Sequence, residues 1–152
     1  MVSSHSVKRL AAHLFLLFVL SAAASANAGE ELVLIVSAHS DIESLDSSLI
    51  RKLFLGFTIT QHGYRLRPVL NEADPLIKEL FLQNVVSMSD SAYDRYLLRL
   101  SLLRGQTRPK TYKTNEQAIN AVASDPKVVS YAWARDVAHD ARIKVLRLLW
   151  HD

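Results

Sequence analysis

Residues 45–57 read Leu45-Asp46-Ser47-Ser48-Leu49-Ile50-Arg51-Lys52-Leu53-Phe54-Leu55-Gly56-Phe57. Leu49, Ile50, Leu53, Phe54 and Phe57 recur at the spacing of one helical face, which predicts a short amphipathic helix with those side chains inward. Asp46 is placed to cap its first turn, because its carboxylate can accept from the free amides there. Arg51 and Lys52 fall on the opposite face near the C-terminus, where positive charge suits the helix dipole. Gly56 stands where a left-handed C-cap residue is wanted.

Upstream, Glu31–Ala38 is a continuous apolar run rich in β-branched residues, the pattern of a strand buried on both faces of an α/β sheet. Ser37, His39 and Ser40 follow at its carboxyl end, and ligands of open α/β sheets bind beyond the carboxyl ends of strands. Ser37 and Ser40 are therefore candidate anion-facing hydroxyls, with turn residues as the plainer alternative. His39 reads as an exposed loop residue.

Downstream, Thr58–Tyr64 reads as an irregular loop with a turn at His62-Gly63. Arg65–Leu70 reads as a second strand, in which Pro68 points to an edge position or a strand end. A helix follows from Pro75 to about Val86, capped by Asp74 and opened by Pro75, burying Leu76, Ile77, Leu80, Phe81 and Val85. The next helix starts within Met88–Ser91 and runs to about Leu103, with Tyr93, Tyr96, Leu97, Leu100 and Leu103 on one core-facing stripe. Thr114 and Gln117 form a capping box for a short helix that buries Ala118, Ile119 and Val122 and stops at Asp125-Pro126. Val128–Trp133 and Ile143–Trp150 read as the last two strands.

Between the third and fourth of these helices, Arg104–Lys110 gathers three cations, a hydroxyl and Gly105. Guanidinium groups bind oxyanions in bidentate fashion, so Arg104, Thr107 and Arg108 are a candidate anion clamp, a solvated basic loop being the alternative.

A length of 152 residues with 49% hydrophobic and 22% charged residues suits one domain with one core and argues against disorder. Met1–Ala28 reads as a signal peptide. Lys8 and Arg9 precede the apolar run Leu10–Leu20, and Ala26-Asn27-Ala28 is a small-x-small cleavage site. The expected product is a periplasmic domain over 29–152 with no stable membrane insertion after cleavage. Loss of Lys8 and Arg9 lowers the formal net charge from +3 by two, to +1, so the basic balance gives no reason to expect a nucleic-acid partner. The absence of cysteine excludes disulfides, thiolate metal sites and a lipidated mature N-terminus.

The four glycines build no nucleotide loop, no Gly-x-Ser-x-Gly elbow occurs, and His39, His62, His139 and His151 are scattered. Asp136 and Asp140 read as an exposed carboxylate pair on one helix face. No catalytic constellation emerges, so neither an enzyme nor a cofactor or metal is expected.

The run from Ser44, Ser-Leu-x-x-x-Leu-Ile-Arg-Lys-Leu-Phe-Leu-Gly, resembles the Ser-Leu-Ser-x-x-Glu-Leu-x-x-Ile-Phe-x-Gly signature of phosphate-binding proteins of ABC transporters. It is more similar still to a family of short exported proteins that share this signature. Met88, Tyr96 and Gly105 match a later element of that family, and Thr107 stands where its loop carries a second glycine. Thr114, Gln117, Ala118, Val122, Pro126 and Val129-Ser130-Tyr131 resemble its C-terminal element, with Ser130 in place of a glycine. The resemblance spans Leu32 to Leu149. It implies an α/β, single-domain, type 2 periplasmic-binding-protein-like lobe with a mixed sheet flanked by helices. It also implies a small oxyanion such as phosphate as ligand, and a membrane transporter or sensor protein as partner.

The chain departs from the pattern at Asn71-Glu72-Ala73-Asp74, where the two-lobed relatives carry Asp-Gly-Ser-Gly-Thr to wrap the anion at a helix N-terminus. Asn71 is the candidate that remains there, and Asp74 adds a negative charge. Three readings stay open: an oxyanion-binding lobe, an interaction or sensory module without ligand, and a self-associating lobe. The first expects one concave pocket joining Ser37, Asn71 and Thr107.

Overall fold

Strand β1 (Glu31–Ser37) is buried from Leu32 onward, and its side chains alternate between two apolar clusters. Leu32, Leu34 and Val36 join one cluster, Val33 and Ile35 the other, because successive side chains of a strand point to opposite faces. Both faces of the sheet are therefore covered, as the unbroken apolar run requires. This computed structural model describes residues 30–152, and the segment read as a signal peptide lies outside them.

Helix α1 (Ser47–Phe54) keeps its predicted caps: Asp46 Oδ1 accepts from the Leu49 amide at 2.8 Å, and Gly56 turns left-handed at φ 85°. The Gly56 and Phe57 amides then donate to the Leu53 and Lys52 carbonyls, closing a Schellman motif. A two-residue ribbon follows, β2 (Thr60–Gln61) with β3 (Tyr64–Arg65). It replaces the irregular loop expected over Thr58–Tyr64. His62 and Gly63 both take positive φ, the mirror-image turn whose twist matches a hairpin.

β4 (Arg67–Asn71) leads into α2 (Pro75–Phe81), which continues as one wider π-helical segment, Leu82–Val86, before α3 (Asp90–Arg104). β5 (Lys110–Tyr112), α4 (Asn115–Ser124), β6 (Val128–Trp133), α5 (Ala134–Val137) and β7 (Ile143–His151) complete the chain. The sheet order is β5-β4-β6-β1-β7. β4 runs parallel to β5 and β6, whereas β1 is antiparallel to both β6 and β7. Residues of α1, α2 and α3 pack on one face of the sheet, and residues of α4 and α5 on the other.

Several expectations change in the folded chain. Phe57 is 52% exposed, because it lies beyond the reversal at Gly56 and no longer follows the phase of α1. Leu76 and Leu103 are also exposed: the first and last turns of α2 and α3 keep the helical phase but outrun the core. Of the two places open to Pro68, an edge or a strand end, it takes the strand end, since β4 has neighbours on both sides. It is tolerated as the second residue of the strand. The Arg67 amide donates towards β6, so the Pro68 nitrogen faces β5, where pairing begins only at Val69.

Candidate functional site

The antiparallel course of β1 decides where the candidate residues go. Val36 pairs with Val129 and Arg67 with Val128, so the carboxyl end of β1 lies beside the amino ends of β4 and β6. Ser37 and Asn71 consequently stand at opposite ends of the sheet, and among the described residues neither of the two main hollows joins them with Thr107.

At the carboxyl ends of β4, β5 and β6, the polar groups are engaged with one another. Asn71 is fully buried; its Nδ2 donates to Asn115 Oδ1 at 2.9 Å and to the Tyr131 carbonyl at 3.2 Å, and its Oδ1 accepts from the Ala73 amide. Asp74 caps α2, accepting from the Leu76 amide at 2.8 Å. Glu72 pairs with Lys78 at 2.6 Å and with Lys113, and Lys78 also reaches Asp90 at 2.7 Å. Burial alone would raise the Glu72 pKa, but the hydrogen bonds from Lys113 and Lys78 outweigh it and hold the carboxyl below its usual range. The hollow here measures about 580 Å³, and its lining holds four carboxylates against two lysines.

Ser37 and Ser40 are also buried and spoken for. Ser37 Oγ donates to the Ala123 carbonyl at 3.3 Å, and Ser40 Oγ to the Pro126 carbonyl at 2.9 Å. They brace the turn between α4 and β6. Arg104 ends α3 in solvent and lines neither hollow.

Thr107 and Arg108 line a larger groove, about 1030 Å³, at the amino ends of the parallel strands. Among the described residues, its lining includes five cationic residues, Arg65, Arg67, Arg108, Lys110 and Lys127, against one acidic residue, Asp125. Arg67 pairs with Asp125, and the other four cations make no ion pair among the described residues. Lys110 and Lys127 instead lie over the rings of Tyr112 and Tyr64, at 4.9 and 5.7 Å from the centroids. Uncompensated like charge in a concave surface concentrates the field and favours an anion.

Of this lining the sequence pointed to Thr107 and Arg108 and missed Arg65, Arg67 and Lys127, while Lys110 counted only as part of the loop. A signal existed. Arg67 and Lys110 open β4 and β5, and Lys127 immediately precedes β6, so each parallel strand begins with a cation. Among the described residues no cluster of histidine and acidic side chains suits a metal ion, and no helix is long and apolar enough to cross a membrane.

This layered mixed sheet, with its antiparallel strand inserted between parallel ones, is the fold seen in part of solved substrate-binding proteins. No protein-family model and no curated protein matches the sequence. Among solved structures, the chain is similar to a substrate-binding protein assigned to phosphate ABC transport, with phosphate bound, from Clostridium perfringens. The TM-score is 0.59 at 11% identity, over 78% of this chain and 44% of that one. It is also similar to PstS from Borrelia burgdorferi, with a TM-score of 0.56 at 11% identity over 77% of this chain and 46% of the other. At such identity the likeness shows the fold. The chain spans less than half the length of these binding proteins.

Proposed function

We propose that this chain is an exported, non-catalytic solute-binding lobe that holds an oxyanion of the phosphate class in the basic groove at the amino ends of β4, β5 and β6. The observation that carries the reading is the groove's five cations against one carboxylate. The fold supports a binding role, since the solved proteins that share it are named for substrate or phosphate binding. Thr107 and Arg108 stay in the site because they line the groove, with one Arg108 nitrogen donating to the Asp94 carbonyl at 3.3 Å. Ser37, Ser40 and Asn71 leave it, because they are buried, outside the groove, and bonded to other protein groups. A signal peptide over Met1–Ala28 delivers the domain to the periplasm, and a membrane transporter or sensor protein receives it there.

Titration calorimetry with phosphate and sulfate tests this reading. Binding should weaken as salt rises, and Arg65→Ala or Lys110→Ala should each lower the affinity about fivefold, as expected for one exposed charge pair. No heat at millimolar anion would sink it. That outcome would leave the interaction-module reading, for which exposed Leu98, Leu102 and Leu103 on α3 offer a surface.

A further inference from the structure

The groove is more than a ring of charge. Its volume of about 1030 Å³ is that of a site for a drug-sized molecule, far more room than one tetrahedral oxyanion fills. The lining divides chemically. The cations gather where β4, β5 and β6 begin, while Phe57, Leu100, Pro68 and Pro109 contribute apolar wall from the ends of α1 and α3 and the strand starts. Phe57 leaves 52% of its surface in solvent, so its ring is open to a ligand. The wall is also tight at its base: a Cβ on Gly56 would meet Leu100 Cδ1 and Gln106 Oε1 at 3.2 Å. Lys127 and Lys110 each lie over one face of the Tyr64 and Tyr112 rings, respectively.

Charge complementarity and an apolar wall within one groove define the occupant. Resting on the anion-binding reading above, we infer that the ligand is a small amphiphilic anion, a phosphate monoester carrying an aliphatic group, with the phosphate on Arg65, Lys110 and Lys127 and the aliphatic part against Phe57 and Leu100. Inorganic phosphate would then occupy only half of the site.

Calorimetry on the full chain separates the two statements, with inorganic phosphate, n-hexyl phosphate and n-hexanol as probes. Burying a short alkyl chain should make hexyl phosphate bind at least about tenfold tighter than inorganic phosphate. Hexanol alone should give no measurable heat, because it lacks the anion. Phe57→Ser, at an exposed position and checked by its melting curve, should weaken hexyl phosphate more than inorganic phosphate, so that the hexyl advantage shrinks. Equal affinity for the two phosphates, or a hexyl advantage untouched by Phe57→Ser, overturns the amphiphile while the proposed function stands. No heat from either phosphate overturns both.

Discussion

Asn71 shows how one side chain can suggest a ligand site and yet serve the fold. Its amide is fully buried, and both of its ends are satisfied, by Asn115, the Tyr131 carbonyl and the Ala73 amide. Cutting the side chain back leaves a carbonyl and an amide without a partner, and each such buried group costs about 1–3 kcal/mol. Asn71→Ala should therefore lower the unfolding free energy by about 2–3 kcal/mol in urea titrations, with anion affinity unchanged. A stable variant that fails to bind anion would restore Asn71 to the site. The residue type and its place at a strand end were readable from sequence; its partners were not, since Asn115 and Tyr131 come from other elements. The same holds for Ser37 and Ser40, whose carbonyl partners lie 86 residues away along the chain. A hydroxyl in a sequence announces that it needs a partner, not which one it finds.

Among the elements, α1 was the most legible. Its caps at Asp46 and Gly56 are local chemistry, and local chemistry is what a sequence displays. The relation between α1 and α3 was not. Tyr93 and Tyr96 were read as apolar stripe, but their hydroxyls also donate to the Phe54 and Leu55 carbonyls, at 2.6 and 2.8 Å. Those carbonyls belong to the last turn of α1, where the helix offers no partner of its own. The stripe thus packs and caps at once, and burial, with Tyr96 and Asp94 nearby, pushes the Tyr93 phenol well above its usual pKa. Tyr93→Phe keeps the ring and removes only the bond, leaving the Phe54 carbonyl unsatisfied in the core. We expect a loss of about 1–2 kcal/mol in thermal or urea unfolding, larger than that of Tyr96→Phe at its half-buried position. Equal, negligible effects would mean that packing alone holds α3 on α1. The helical period placed the stripe correctly through Leu97, left Leu100 on the groove wall and failed at Leu103, because periodicity gives a direction and says nothing of how far the core extends.

For the whole molecule, the apolar run of β1 revealed burial and concealed direction. A strand covered on both faces reads the same whether its neighbours run parallel or antiparallel, and that choice moved Ser37 to the far end of the sheet from Asn71. The two ends are electrostatically unlike: cations at the amino ends of β4, β5 and β6, and a self-paired cluster of Glu72, Lys78, Asp90 and Lys113 at the carboxyl ends. That cluster ties β4, α2, α3 and β5 together, so its titration should be felt as global stability. The Glu72 carboxyl is held below its ordinary 4.5 despite burial, through Lys113 and Lys78. Its stabilising contribution is complete above 4.5 and is lost as pH falls through the lower, folded value. Burial would lower the Lys78 pKa, but Asp90 and Glu72 hold it above its ordinary 10.5, so its contribution is complete below 10.5 and fades as pH rises past the folded value. The urea midpoint should therefore have a flat contribution from this cluster around neutrality and fall on both the acid and the alkaline side. Glu72→Gln should lower the plateau and flatten the acid limb, because the variant has no carboxyl to protonate there. An acid limb of unchanged steepness in Glu72→Gln would assign acid sensitivity to other carboxylates, with Asp140, which Arg142 holds below its ordinary range, the next to substitute.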